Sequence, residues 1–206
     1  MALCTCVCAR GQAVIDRPTA WRFARECASG IGHIHSMGYM HRDIKSLNVF
    51  VTADLVCKVA DFGMCTNEAT SCEVCGTPQW MAPEVAKHLV LPIGSPPYDR
   101  HCDIYSYAIL LWEIFHSSVP YMETRLDQTT IAQMVADTRH NFRPKINPGV
   151  CPEQIQAILL HCWHNDPTAR PSFIKIVQQL DAVREAVVTA TITPPPPPPP
   201  TASMMR

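Results

Sequence analysis

The chain has 206 residues, 47% of them apolar, and a formal net charge of −1, which suits one medium domain with a sizeable core. That balance leaves no electrostatic footprint for nucleic acid or an anionic membrane, and no apolar run reaches the roughly 18–20 residues of a bilayer span. Eleven scattered cysteines, an odd number, fit a reducing compartment, and MALCTCVCAR lacks the pattern of a secretory signal, so a cytoplasmic protein is expected.

Residues 1–15 read as an ill-defined lead-in. From Asp16 a polar cap, Pro18 and apolar Trp21, Ala24, Ala28, Ile31 and Ile34 predict a helix that stops at Gly38. Two short β-type runs over 48–51 and 57–60 flank the turn-like Thr52-Ala53-Asp54. Residues 64–81 are polar and mixed, a long loop. The stretch 102–117 is apolar almost all round, the mark of a helix in the centre of a domain. Further helices are predicted over 127–137, 152–163 and 171–188, with breaks at Pro120, Pro144, Pro148 and Pro167. A helix-rich domain over 16–188 is therefore expected, followed by a disordered tail, 189–206. There the run from Pro194 to Pro200 favours an extended polyproline helix.

HRDIKSLN sets Asp43, Lys45 and Asn48 within six residues, and Asp61 follows thirteen residues after Asn48. Two short strands between Asn48 and Asp61 would bring these groups together. Oxygen ligands beside a lysine suit a divalent cation and phosphate. A solvated polar turn needs no such order.

The motifs also carry a resemblance. His41-Arg42-Asp43 with Lys45 and Asn48 resembles the catalytic loop of protein kinases, Asp61-Phe62-Gly63 their metal-binding motif, and Ala82-Pro83-Glu84 the end of their activation segment. Asp103 opening an apolar helix and Arg170 in DPTARPSF also match family positions. Order and spacing together are specific, and the resemblance covers 16–188. It is to the larger lobe of eukaryotic protein kinases, an α+β, mainly α-helical fold with small β-hairpins. Lys45 in HRDIKSLN, GTPQWMAPEV and DIYSYAILLWEI resemble the tyrosine-kinase-like serine/threonine group, which includes Raf-like and mixed-lineage kinases. Tyr105 and Ala108 stand where the family often has Trp and Gly, away from the chemistry.

The resemblance implies transfer of the ATP γ-phosphoryl group to protein Ser/Thr hydroxyls with Mg2+. Asp43 is then the base, Lys45 the charge stabiliser, and Asn48 and Asp61 the metal and nucleotide ligands. It implies further that His41 fixes the loop, that Asp103 accepts its backbone N–H groups, that Glu84 pairs with Arg170, and that Thr77 lies near Asp43 and Lys45. Arg42 before the base goes with control by a phosphate on Thr66, Thr70 or Ser71, joined by Lys58. The family's smaller lobe, with its glycine-rich loop and strand lysine, is not found: Gly11 is the only glycine before Gly30. The expectation is therefore a fragment lacking the N-lobe, and negligible transfer by the chain alone. The alternative is an inactive kinase-lobe module that binds SH3, WW or profilin partners through its prolines.

Other signals read plainly. Cys4, Cys6 and Cys8 alternate too closely for a zinc site and belong to the lead-in. Cys72 and Cys75 have CxxC spacing but no second pair, so a mobile loop is expected there. His33 and His35 face different ways on a helix and, with His41, make no metal site.

Overall fold

A computed structural model of the protein describes residues 1–7, 15–91 and 93–192, with side chains for residues 1–5, 15–91 and 93–184. Cys8 and the run from Pro194 to Pro200 lie outside the described residues. The chain adopts the expected α+β, mainly helical fold, with two small antiparallel sheets among those residues.

The first long helix, α2 (Arg17–Ser36), begins where its sequence says it should. Asp16 Oδ1 accepts the Thr19 N–H at 2.9 Å, and Pro18 occupies the first turn, where its missing N–H costs nothing. Trp21, Ala24, Cys27, Ala28 and Ile31 follow at three- and four-residue spacing and are buried. That face packs on α7 (Phe173–Ile192) and on α4 (His101–His116). Every residue of α4 from Cys102 to Phe115 is buried, so α4 is the core around which the rest is arranged. Each large apolar side chain buried there contributes about 1.5–3 kcal/mol. Two buried polar ends find partners: Tyr107 Oη donates to Ala24 O at 3.0 Å and Trp21 Nε1 to Leu180 O at 2.9 Å. Two further helices, α5 (Gln128–Ala136) and α6 (Glu153–Cys162), complete the helical layer.

A hairpin of β1 (Val49–Val51) and β2 (Cys57–Val59) lies against α2, with Val49 opposite Val59. The approach is close: a Cβ on Gly30 would stand 3.0 Å from Val59 Cγ2, so any larger residue there would press on the hairpin. Glu26 on the same helix accepts the Cys57 N–H at 2.8 Å, which anchors the hairpin.

Besides α7, which runs on to Ile192 where a disordered tail is expected from residue 189, three pieces of structure differ from the sequence expectation. The lead-in is ordered at its start: α1 (Leu3–Val7) follows a bridge between Ala2 and Phe50, and Leu3 is fully buried. One turn of helix is too short to show a period in sequence. The long loop contains β3 (Thr70–Ser71), which pairs with β4 (Tyr98–Asp99), a contact between distant segments. Finally α3 (Pro83–Val90) forms after Ala82 with Pro83 as its first residue, and packs on α5.

No described helix is long and apolar enough to cross a membrane.

Candidate active site

The site is built on the loop that joins α2 to β1. Arg42 in that loop has φ 69°, a left-handed conformation that costs a non-glycine residue and must be held from outside. The buried carboxylate of Asp103, in the first turn of α4, supplies the hold. Its Oδ2 accepts the His41 N–H and its Oδ1 the Arg42 N–H, both at 2.8 Å, while His35 Nε2 lies 2.9 Å from Oδ2. His41 is itself buried. Its Nε2 donates to Ala60 O at 3.0 Å, and its Nδ1 accepts the Asp43 N–H at 3.3 Å. The ring therefore ties the loop to the strand that leads into Asp61.

This backbone brings Asp43, Lys45, Asn48 and Thr77 together. Lys45 Nζ and Asn48 Nδ2 donate to Asp43 Oδ2 at 2.7 and 2.8 Å, and Thr77 Oγ1 donates to Oδ1 at 2.9 Å. Lys45 Nζ also donates to Thr77 Oγ1 at 2.8 Å. The Asp43 side chain keeps 12% of its surface exposed, so a hydroxyl from solvent can reach it. Gly76, next to Thr77, allows the close approach. Its φ is +96°, and a Cβ there would stand 2.5 Å from Arg42 O, so the segment carrying Thr77 lies against the loop carrying Asp43.

Asp61 follows β2 in a left-handed conformation, φ 62°, and is exposed; its Oδ1 engages only the Gly63 N–H, at 3.4 Å. The Phe62 ring packs 5.5 Å from the His41 ring. Asn48 turns its amide nitrogen toward Asp43, which leaves its oxygen for another partner. An amide oxygen and a free carboxylate are hard donors, and Mg2+ needs few protein ligands because water and phosphate complete its octahedron. The residues present therefore fit magnesium.

Away from these groups, Glu84 and Arg170 meet in a bidentate pair. Arg170 Nη2 donates to Glu84 Oε2 at 2.9 Å, and the guanidinium also reaches His164 O and His101 O at 2.9 Å and lies over the Tyr105 ring. Arg42 points into the segment over residues 64–73. It donates to Met64 O at 2.6 Å, to Ser71 Oγ at 3.2 Å and to Glu73 Oε2 at 2.8 Å. Lys58 is elsewhere, in a groove with Arg25, Glu26 and His33. Cys72 and Cys75 are both free thiols, Cys75 within 3.5 Å of Tyr98 Oη.

Sequence reading missed Glu73, Ser46, Trp80 and Glu113. Only Glu113 carried a signal, as a charge inside an apolar helix. Its carboxyl is buried between Ser46 and Trp80, and burial pushes its pKa up from 4.5 to about 7, although the hydrogen bonds from both residues pull the other way. The sign of the linkage follows. Between pH 4.5 and about 7 the folded state holds a proton that the unfolded state has released, so this group's stabilisation is present at low pH and lost as pH rises toward 7. Glu113→Gln, which cannot ionise, should gain on the wild type in urea unfolding as pH goes from 5 to 8, by roughly 2–3 kcal/mol. A pH-independent gap between the two proteins would show the carboxyl to be ordinary.

The sequence pattern of the "Protein tyrosine and serine/threonine kinase" family matches residues 8–180. Serine/threonine-protein kinase STY17 of Arabidopsis thaliana is 34% identical over 163 residues, 78% of this chain and 26% of that protein. The serine/threonine/tyrosine-protein kinase HT1 of the same plant is 34% identical over 173 residues, 82% of this chain and 41% of that protein. A probable LIM domain-containing serine/threonine-protein kinase of Dictyostelium discoideum is 36% identical over 172 residues, 82% of this chain and 16% of that protein. The chain thus spans less than half the length of each. The match runs through the loop that carries Asp43, the strand end that carries Asp61, and the segment that ends at Glu84. This chain belongs to the protein tyrosine and serine/threonine kinase family.

Proposed function

We propose that the protein is a serine/threonine kinase of the tyrosine-kinase-like group, acting on protein hydroxyls with ATP and Mg2+. The observation that carries this reading is Asp43, held by Lys45, Asn48 and Thr77 at 2.7–2.9 Å yet open to solvent. Phosphoryl transfer asks little covalent chemistry of a protein; it asks for position and for charge to offset charge. Asp43 orients the acceptor hydroxyl and takes its proton as the oxygen attacks. Lys45, beside both Asp43 and Thr77, faces the transferred group and offsets its charge. Thr77 lines the approach of the acceptor. Asn48 and Asp61 would hold the metal, which would offset the negative charge of the phosphates.

Among the described residues no glycine-rich loop or strand lysine stands over Asp61, and Phe62 is exposed. We therefore expect transfer to require a nucleotide-covering lobe, in cis or in trans. Regulation fits the same geometry. Ser71 already touches Arg42, so a phosphate there would meet that guanidinium, whereas Thr66 Oγ1 accepts from the Glu68 N–H. A reducing, cytoplasmic setting agrees with free thiols at Cys27, Cys57 and Cys102 in the core.

The test uses Mg-ATP and peptides bearing Ser, Thr or Tyr. The chain is assayed alone and joined behind the glycine-rich lobe of a kinase. Negligible transfer alone, with phosphoserine and phosphothreonine from the fusion, is expected. Phosphotyrosine as the main product, or no transfer from a fusion that binds nucleotide, would overturn the reading.

A further inference from the structure

A cavity of about 490 Å3 opens between the start of α2, the start of α6 and the turn of α7 that carries Arg184. Its volume suits a small organic molecule. It shares no lining residue with the loop that carries Asp43 or with the segment that ends at Glu84. Pro18, Trp21 and Arg22 line it from α2, where three- and four-residue spacing puts them on one face, and Pro152 lines it from beside α6. Trp21 Nε1 already donates to Leu180 O, so the indole offers the cavity only carbon.

The charge in this cavity is one-sided. Arg25 of α2 donates to both carboxylate oxygens of Asp181 of α7. Three residues back along α2 and three further along α7, Arg22 and Arg184 line the same cavity, and Arg17 lines it too. An acid at 22 or 184 would have repeated the ion pair; two arginines repel instead. Asp16, the acid nearest in sequence, is turned to the Thr19 N–H. Elsewhere Arg42, Arg100, Arg139, Arg143 and Arg170 all donate from their guanidinium groups. Apart from Arg125, the described arginines with no acceptor among the described residues are Arg17, Arg22 and Arg184. Arg22 Nε is moreover buried without a partner, a cost that an anion in the cavity would remove.

We propose that this cavity is a binding site for a small organic phosphate: a phosphate ester whose oxygens bridge Arg22 and Arg184, with Arg17 beside them, and whose apolar body lies on Pro18, Trp21 and Pro152. Guanidinium groups match phosphate oxygens in pairs. A dianion offsets more of three positive charges than a carboxylate does, and an apolar body uses walls that a bare ion would leave in water. The site stands apart from the kinase reading and does not depend on it.

Titration calorimetry of the 206-residue protein with phenyl phosphate tests this. Saturable binding with a Kd of about 1 mM or tighter is expected, weakening as salt rises. Inorganic phosphate and phenol, the two halves of the probe, should each bind at least about tenfold more weakly. Arg184→Gln, at an exposed position, should weaken binding of phenyl phosphate about 10- to 100-fold, and so should Arg22→Gln. Arg125→Gln removes an equally unpaired, exposed arginine outside the cavity and should leave the affinity unchanged. Should the Arg22 variant fail to fold, the comparison of Arg184→Gln with Arg125→Gln decides. The site is refuted by the absence of saturable binding up to about 10 mM, or by inorganic phosphate binding as tightly as its phenyl ester. Equal effects of the Arg184 and Arg125 variants would refute it as well, because they would mark a diffuse response to net charge.

Discussion

Replacing Asp43 by asparagine is expected to lower phosphoryl transfer roughly 10²- to 10⁴-fold, the usual contribution of a positioned acid–base group. The fold should tolerate the change. Asp43 receives donors on both oxygens, from Lys45 and Asn48 on Oδ2 and from Thr77 on Oδ1. An asparagine can keep its oxygen toward Lys45 and Asn48 and turn its NH2 toward Thr77, whose hydroxyl then accepts instead of donating. Size and most contacts survive, whereas the capacity to take a proton at neutral pH does not. The measurement is peptide phosphorylation by the lobe fusion, with nucleotide binding and melting temperature followed in parallel. Loss of turnover with both controls unchanged is the expected pattern. A variant that keeps more than a tenth of wild-type turnover would remove Asp43 from the chemistry.

The second large effect is on stability. Glu84→Ala should destabilise the domain by about 3–5 kcal/mol, because it leaves Arg170 buried without its counter-charge. The Arg170 side chain has no exposed surface, against 15% for that of Glu84. Its other partners, His164 O and His101 O, are neutral carbonyls, and the Tyr105 ring offers only a weak attraction for the cation. At this chain length the loss corresponds to a drop of roughly 10 °C in melting temperature. Arg170→Met should cost less, since the stranded Glu84 carboxylate can reach water. The double variant should fall well short of the sum of the two. Calorimetry on the three proteins decides. Additive losses would mean that the two side chains do not act as a pair, and a Glu84→Ala cost below about 1 kcal/mol would place the interaction among ordinary surface salt bridges.

Different residues were legible at different ranges. The helix expected over 102–117 spans His101–His116, and that over 152–163 spans Glu153–Cys162, because an apolar period persists over several turns. Ends marked by caps were equally clear, as at Asp16 and Pro18. The lead-in helix Leu3–Val7 was invisible, being one turn long, and Pro83–Val90 was obscured by the prolines and short polar stretch around it. The pairing of Thr70–Ser71 with Tyr98–Asp99 leaves no trace in either segment, since a two-residue strand has no period to read.

By itself the sequence determined the chemistry on offer. Asp43, Lys45 and Asn48 are neighbours in the chain and meet in the fold, and Asp61 is one hairpin away. The order of the motifs also marked the family. Only the tertiary structure decided what holds these groups in place. Arg42 pairs with Glu73, and Glu113 with Ser46 and Trp80, across separations of 31 to 67 residues, whereas the hold of Asp103 on the His41 and Arg42 backbone was already implied by the resemblance. The contacts of Asp103 and Glu113 form because α4 runs through the core beneath both segments and a buried carboxyl group must find donors wherever the fold brings them, whereas the Glu73 carboxylate is exposed. Sequence spacing carries local geometry. It does not carry which distant N–H will end beside a buried oxygen.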